Sequence, residues 1–273
     1  MEILHSLILG LIQGLTEFLP ISSSGHLVFG EALLGGKVDK GITFEVVVHF
    51  GTLCSILLYY RREIADILSS LWDLLLHPGE FSNKVSNDTN IKLTGFILLS
   101  MIPALIVGLT MKDMVEEAFL NPLMVSIMLL ITGLILFSTK FRDHFPNRLK
   151  SSSAFGIGLA QAFAVLPGIS RSGSTISLGL YLGIEREEAA NFSFLMVIPV
   201  IAGAMILQAG TVVETGISMA EFWNLLVGFL TSFVSGYFAL KYLIIMLRTR
   251  GISPFAWYCW ALGIFGIFYF GIF

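Results

Sequence analysis

Two stretches of this 273-residue chain are copies of one another, and their spacing limits the fold more than any other feature. The run from Gly10 to His26 superposes on the run from Gly158 to Ser174 at an offset of 148 positions, with no gap. Gly10, Leu11, Gln13, Ile21, Ser22, Ser24 and Gly25 fall on Gly158, Leu159, Gln161, Ile169, Ser170, Ser172 and Gly173. The register persists to Leu34-Gly35 on Leu182-Gly183 and to Phe44 on Phe192. Each copy reads as an apolar helix broken at Pro and Gly, then a Ser/Gly turn, then a second short helix. A chain built this way has two matching halves, about 1–140 and about 150–273, within a single domain.

The solvent for those halves follows from composition. With 55% hydrophobic residues, 13% charged residues and a mean hydropathy of +0.85, the chain has too little polar surface to cover a water-soluble core. It is expected to be an all-α integral membrane protein, because its long apolar runs lack the alternation of a barrel strand. The net charge of -3 carries no nucleic-acid signature. Cys54 and Cys259 lie in apolar runs and read as two buried thiols. The chain opens Met-Glu without a basic n-region or small-residue cleavage site, so residues 1–19 are read as mature structure.

Ala154 to the Pro167 break is only about fourteen residues, roughly 21 Å of helix, against a hydrocarbon core of about 30 Å. That is short for crossing. By the repeat, 1–36 and 151–184 are both expected to be re-entrant hairpins whose tips are buried in protein, since broken backbone is forbidden in lipid. Spans are expected near 42–60, 91–111, 123–139, 190–209, 222–245 and 255–273. The segment 61–90 reads as amphipathic, with a turn at His77-Pro78-Gly79 and a loop at 82–90. Three spans per half is odd, so the second copy must enter inverted relative to the first. Arg61, Arg62, Lys84, Lys140, Arg142, Arg148, Lys150, Arg248 and Arg250 then share one side. Asp113, Glu116, Glu117, Glu214 and Glu221 take the other, with Lys37, Lys40 and Lys112. The basic side belongs in the cytoplasm, and the first hairpin opens outward.

Three ionisable groups in the breaks invite a functional reading, because charge inside a membrane segment is costly. Gln13 and Glu17 share a helix face just before Pro20. The helix C-terminus there disfavours a bare carboxylate, so Glu17 needs Arg171, a metal ion or a proton; the bland alternative is a snorkelling glutamate. Ser22, Ser23, Ser24 and Gly25 lead into a helix start, a ready anion site, though plain N-capping also uses such residues. His26 offers a nucleophile or an acid/base near neutral pH, or a structural ring. In the second copy, Arg171 has five donors amid Gly168, Ser170, Ser172, Gly173 and Thr175, and a phosphate matches its fork; a structural ion pair with Glu17 is the alternative. Glu45 and His49 are further intramembrane polar groups without an assignable role. No strand precedes the Ser170 to Gly173 string, so it is not a nucleophile elbow.

The string Gln13, Glu17, Phe18-Leu19-Pro20-Ile21-Ser22-Ser23-Ser24-Gly25-His26, the string Pro167-Gly168-Ile169-Ser170-Arg171-Ser172-Gly173-Ser174-Thr175 and the run Thr43-Phe44-Glu45-Val46 together resemble the undecaprenyl-diphosphatase family, the bacitracin-resistance phosphatases. The resemblance covers essentially the whole chain, with Gln13 as the amide variant at a position that is Glu or Gln in the family. It implies removal of the terminal phosphate from a C55 polyprenyl diphosphate, yielding the monophosphate carrier for peptidoglycan and other envelope polymers. It also implies a divalent cation, Mg2+ or Ca2+, and a site open to the outer face of the bacterial inner membrane. By the same resemblance Arg171 binds the diphosphate, Glu17 holds a metal or moves protons, and His26 or Ser23 is the nucleophile, with His26 favoured. Gln13, Ser22, Ser24, Gly25, Gly168, Ser170, Ser172, Gly173 and Thr175 surround the substrate. The expected partners are the lipid substrate and membrane lipids, and a homodimer is left open.

Two rivals stand beside it. A phosphatidic-acid-phosphatase pattern would need His six residues after Arg171 and Asp four later, where this chain has Ser177 and Tyr181. A secondary transporter or lipid flippase is also built from inverted repeats with broken helices meeting mid-membrane.

Overall fold

The computed structural model describes residues 3–33, 42–142, 147–215 and 218–272. The ends of the first expected hairpin, with Lys37 and Lys40, lie outside the described residues, as do the side chains of Lys112 and Glu214. The described chain is helical: α1 (Ile3–Phe18), α2 (Ser23–Leu33), α3 (Ile42–Tyr59), α4 (Arg61–Leu76), α5 (Phe81–Asn87), α6 (Thr89–Thr110), α7 (Lys112–Phe119), α8 (Pro122–Ser138), α9 (Ser151–Phe163), α10 (Arg171–Tyr181), α11 (Arg186–Thr215), α12 (Met219–Thr249) and α13 (Phe255–Ile272). Thr89–Thr110, Pro122–Phe141 and Met219–Thr249 are long and apolar enough to cross a bilayer. The chain is a membrane protein. Its four motif helices are shorter, with 16 residues in α1, 11 in α2, 13 in α9 and 11 in α10.

α1 is inside out relative to a helix of a soluble protein. Ser6, Gly10, Gln13, Gly14, Thr16 and Glu17 are buried, while Leu4, Leu7, Leu11 and Leu15 are exposed. The spacing of three and four places the small and polar residues on one face. That face meets a matching one on α12, where Gly228, Ser232, Ser235 and Gly236 are buried. Small residues let helix backbones approach in a medium that supplies no hydrophobic drive between them. A Cβ on Gly10 would lie 2.6 Å from the Gly228 carbonyl oxygen, and one on Gly14 would lie 2.5 Å from that of Ser232.

The second copy repeats this packing against the other half. α9 carries the matching motif and packs on α6, just as α1 packs on α12. Gly158, the counterpart of Gly10, makes the close approach: its Cβ would meet the Ser100 carbonyl oxygen at 2.4 Å and Ser100 Cα at 2.8 Å. The pairing is therefore exchanged between the halves. α3 lies on both α11 and α12, and α8 lies along α13.

This gives a direct test of packing. Gly158→Ala should lower the melting temperature in detergent by several degrees, since overpacking costs about 1–3 kcal/mol. Gly156→Ala on the same helix should not, because its Cβ would make only ordinary contacts, with Leu182 at 3.8 Å and Leu178 at 3.9 Å. Both variants gain the same helix propensity, so their difference isolates the α6 contact. Equal melting temperatures would contradict the packing.

One local expectation is corrected. Residues 82–90 were expected to be a loop, yet most of them lie in α5, with Asp88 joining it to α6. Lys84 Nζ contacts Asp73 Oδ2 at 2.6 Å and Glu80 Oε2 at 3.4 Å, tying α5 back to α4. The Lys84 hydrogen bond holds Asp73 below its usual carboxylate range. Asp88 accepts from Asn90 N at 2.7 Å and Ile91 N at 3.1 Å, capping α6. Polar composition suggested a loop, whereas a charge pair eleven residues apart selected a helix. Cys54 is half-buried and Cys259 is buried, and both are free thiols.

Candidate active site

The two breaks lie against each other. After α1, Ile21 N donates to Leu19 O at 2.7 Å, and Ser22 adopts a left-handed φ of 68°. That region is sterically disfavoured for a residue with a Cβ, so something must hold Ser22 there. Before α10, Gly168 has φ 92°, and a Cβ on it would meet Val125 O at 2.4 Å. Only glycine fits. Thr132 of α8 clips this second break by donating to Gly168 O at 2.8 Å and accepting from Ser170 N at 3.0 Å. Gly168 N reaches Ser24 Oγ at 3.5 Å, and Ser172 Oγ donates to Leu19 O at 3.3 Å. Cys259 Sγ lies 3.8 Å from Pro20 O. Carbonyls and amides freed by one break are thus met by groups from the other and from α8 and α13, the requirement for irregular backbone away from water.

Glu17 is the hub. Its side chain is 6% exposed. Oε2 accepts from Gln13 Nε2 at 2.9 Å and from Ser23 Oγ at 2.7 Å, while Oε1 accepts from Arg171 Nη2. His49 Nε2 lies 3.9 Å from Oε2, and its Nδ1 is bonded to Glu45 O at 2.8 Å. Glu45 itself is exposed and lends only that carbonyl. The guanidinium of Arg171 uses one nitrogen on the carboxylate, and the other, Nη1, is buried without a partner among the described residues. A buried unpaired donor on a charged group is costly, so Nη1 is poised for an acceptor that the described residues do not supply. Gln13 Oε1 and Ser174 Oγ are likewise buried and unpartnered.

The helix starts complete the surroundings. Ser23 is the first residue of α2, beside the free N–H groups of a helix N-terminus. Ser22 Oγ contacts Ser24 Oγ at 3.2 Å and accepts from Gly25 N at 3.2 Å. Ser170 caps α10 through Gly173 N at 3.1 Å, and its Oγ lies 3.4 Å from Ser172 Oγ. Thr175 points away, donating to Arg171 O at 2.8 Å and meeting Ser193 Oγ at 2.6 Å.

His26 stands apart from the hub. Its Nδ1 lies 2.7 Å from Ser22 O, and its Nε2 lies 2.7 Å from Tyr258 Oη on α13. The two rings are parallel, with centroids 5.5 Å apart. A carbonyl only accepts, so Nδ1 carries the proton, and Nε2 of the neutral ring accepts from the tyrosine hydroxyl. Among the described residues no hydrogen bond joins His26 to Glu17, Ser23 or Arg171. The imidazole instead grips the carbonyl of the strained Ser22. Tyr258 escaped sequence reasoning because it is one aromatic in an apolar run, 232 residues from its partner.

The divalent cation implied by resemblance finds a poor cage here. Among the described residues no three His, Cys, Asp or Glu side chains gather as metal ligands. The one carboxylate buried among the described residues, Glu17, is engaged on both oxygens and faces a guanidinium, which repels a second cation. The residues present do not fit a resident ion.

Comparison with known proteins agrees with the motifs. The family model described as bacitracin resistance protein BacA matches residues 6–265. An undecaprenyl-diphosphatase of Halothermothrix orenii is 40% identical over 276 residues, covering 100% of both chains. One of Salinibacter ruber is 39% identical, covering 96% of this chain and 97% of its own. One of Bacteroides thetaiotaomicron is 43% identical, covering 95% and 96%. The breaks, the glycines that permit them and the Glu17–Arg171 pair therefore sit in a chain that belongs to the BacA family of bacitracin resistance proteins.

Proposed function

We propose that this chain removes the terminal phosphate of undecaprenyl diphosphate, giving undecaprenyl phosphate and inorganic phosphate. The observation that carries this reading is the hub: a serine hydroxyl on a buried carboxylate, beside a guanidinium with an unfilled donor, at the meeting of two helix starts. Family membership and the names of the relatives supply the substrate class.

Ser23 is the attacking group in this proposal, in preference to His26. Glu17 Oε2 takes the Ser23 hydroxyl proton as Oγ bonds to the terminal phosphorus, and the bond to the bridging oxygen breaks, releasing the lipid monophosphate. Water then hydrolyses the phosphoserine. Arg171 Nη1 and the helix-start N–H groups stabilise charge on the transferring group, where electrostatic positioning provides most of the rate in phosphoryl transfer. His26 and Tyr258 hold the Ser22 turn that presents Ser23. No step here is routed through a metal ion.

The topology we favour is six spans and two re-entrant hairpins in an inverted repeat, with the hairpin tips at mid-membrane and the site facing outward across the bacterial inner membrane. The short motif helices and the exchanged packing of α1 on α12 and α9 on α6 support it.

The enzyme and transporter readings separate in detergent, where there is no membrane to cross. Purified protein should release phosphate from a polyprenyl diphosphate. Chelator should leave the melting temperature of substrate-free protein unchanged, since the described residues form no ion cage. No release under any ionic condition would favour transport.

A further inference from the structure

Gln161 is the second-copy counterpart of Gln13, but its bonding is the reverse. Gln13 Nε2 donates to Glu17. Gln161 is only 4% exposed, yet neither Nε2 nor Oε1 of its amide has a hydrogen-bond partner among the described residues. Burying an amide without partners is costly, so folded proteins almost always satisfy such a group or bind something that does.

Two independent relations place this amide beside Arg171. The first is the register of the hairpin. α9 and α10 pack together as antiparallel arms on either side of the break, and Ile157 Cδ1 lies 3.8 Å from the Cβ position of Gly179. One turn nearer the break, Gln161 follows Ile157 on the same face of α9, and Thr175 precedes Gly179 on the same face of α10. Arg171 is one further turn along, about 6 Å, and its carbonyl accepts from Thr175 Oγ1 at 2.8 Å. The second relation is the repeat. α2 and α10 begin and end on residues related by the 148-residue offset, and α1 and α9 begin on such a pair. Under that offset Gln13 maps to Gln161 and Ser23 maps to Arg171.

The copies differ in what stands between those two positions. In the first, Glu17 Oε2 accepts from both Gln13 Nε2 and Ser23 Oγ, at 2.9 and 2.7 Å. In the second, the residue matching Glu17 is Val165, so no carboxylate stands there. The donors on either side, Gln161 Nε2 and Arg171 Nη1, are both unpartnered among the described residues. An oxyanion in place of the missing carboxylate satisfies both. Of the two ends of the amide only Nε2 donates, which fixes how the side chain faces the anion. We infer that Gln161 is a substrate-binding residue, whose Nε2 donates to a phosphate oxygen that it shares with Arg171. The identity of that ligand as the diphosphate rests on the proposed function; the anion site itself does not.

The test uses full-length protein in detergent, with inorganic pyrophosphate as the probe and a polyprenyl diphosphate as the substrate. Gln161→Met keeps the volume and removes both polar ends, so the substrate-free variant should melt at or slightly above the wild-type temperature. It should lose most of the several-degree stabilisation that pyrophosphate gives wild type. Its KM should rise about 10-fold or more, the loss of one hydrogen bond to a charged group. Gln161→Glu keeps a polar side chain of the same size and should also lose the pyrophosphate shift, because a carboxylate repels phosphate; it covers a methionine variant that fails to fold. A folded Gln161→Met with wild-type KM and pyrophosphate shift would overturn the proposal, and a lower melting temperature in that case would assign the amide to a buried water alone. A wild-type shift in Gln161→Glu, or no response of wild type to pyrophosphate, would overturn it too. A shift lost in both variants of a protein that releases no phosphate from the lipid would keep the anion site and strike the diphosphatase reading instead.

Discussion

Arg171→Lys is expected to lower phosphate release from a C55 diphosphate at least about 100-fold while moving the melting temperature little. The proposed function gives the guanidinium two jobs that an ammonium cannot combine: one nitrogen holds Glu17, and the other, without a partner among the described residues, would meet the substrate. Lysine restores the charge and so spares the buried Glu17, but it is a point donor on a flexible stem. Arg171→Ala goes further. A guanidinium that stabilises transferring phosphoryl charge is worth about 10³ to 10⁵ in rate, and its removal also strands Glu17, at about 3–5 kcal/mol for a broken buried pair. The alanine variant should thus be both inactive and less stable, and the lysine variant inactive but folded. Release assays paired with melting curves check this. Near-normal turnover by Arg171→Lys would reduce the pair to a structural salt bridge.

His26 gives the second large effect, and the informative comparison is between two substitutions. His26→Ala removes the shorter of the two bonds to Ser22 O, leaving only the backbone N–H of residue 26 at 3.3 Å, and should cost about 100-fold or more in kcat, because Ser22 at φ 68° can then relax and carry Ser23 off Glu17. His26→Asn places an amide nitrogen near the position of Nδ1 and should recover most of the loss, although asparagine can neither attack phosphorus nor shuttle protons near neutral pH. Tyr258→Phe should lower kcat modestly with KM unchanged. If His26→Asn is as inactive as His26→Ala, the imidazole is itself a nucleophile or acid/base, and the turn-holding role is wrong.

The contrast between His26 and Glu17 marks what was legible in the sequence. The repeat and the breaks at Pro20 and Gly168 are local patterns, so they could be read from spacing alone. Glu17 was also legible as a group needing a partner, since a carboxylate at a buried helix C-terminus is unfavourable by itself. Arg171 was one of three partners open to it, beside a metal ion and a proton, and the structure supplies the arginine. The partners of His26 do not, because a 2.7 Å contact with Tyr258 depends on how α13 packs beside α2, and no periodicity encodes that. The same limit hid Thr132, which reads as an ordinary polar residue in a span until it is seen clipping both Gly168 and Ser170. The helix at Phe81–Asn87 was missed for a related reason: its support comes from Asp73 on the preceding helix.

The central claim is that Ser23, primed by Glu17, takes the phosphoryl group. Quenching turnover of terminally labelled polyprenyl diphosphate and testing the trapped protein addresses it most directly. The account predicts an acid-stable, alkali-labile phosphoserine at Ser23 that is absent from Ser23→Ala, together with loss of release in that variant. An acid-labile, alkali-stable adduct on His26, or full turnover by Ser23→Ala, would contradict it.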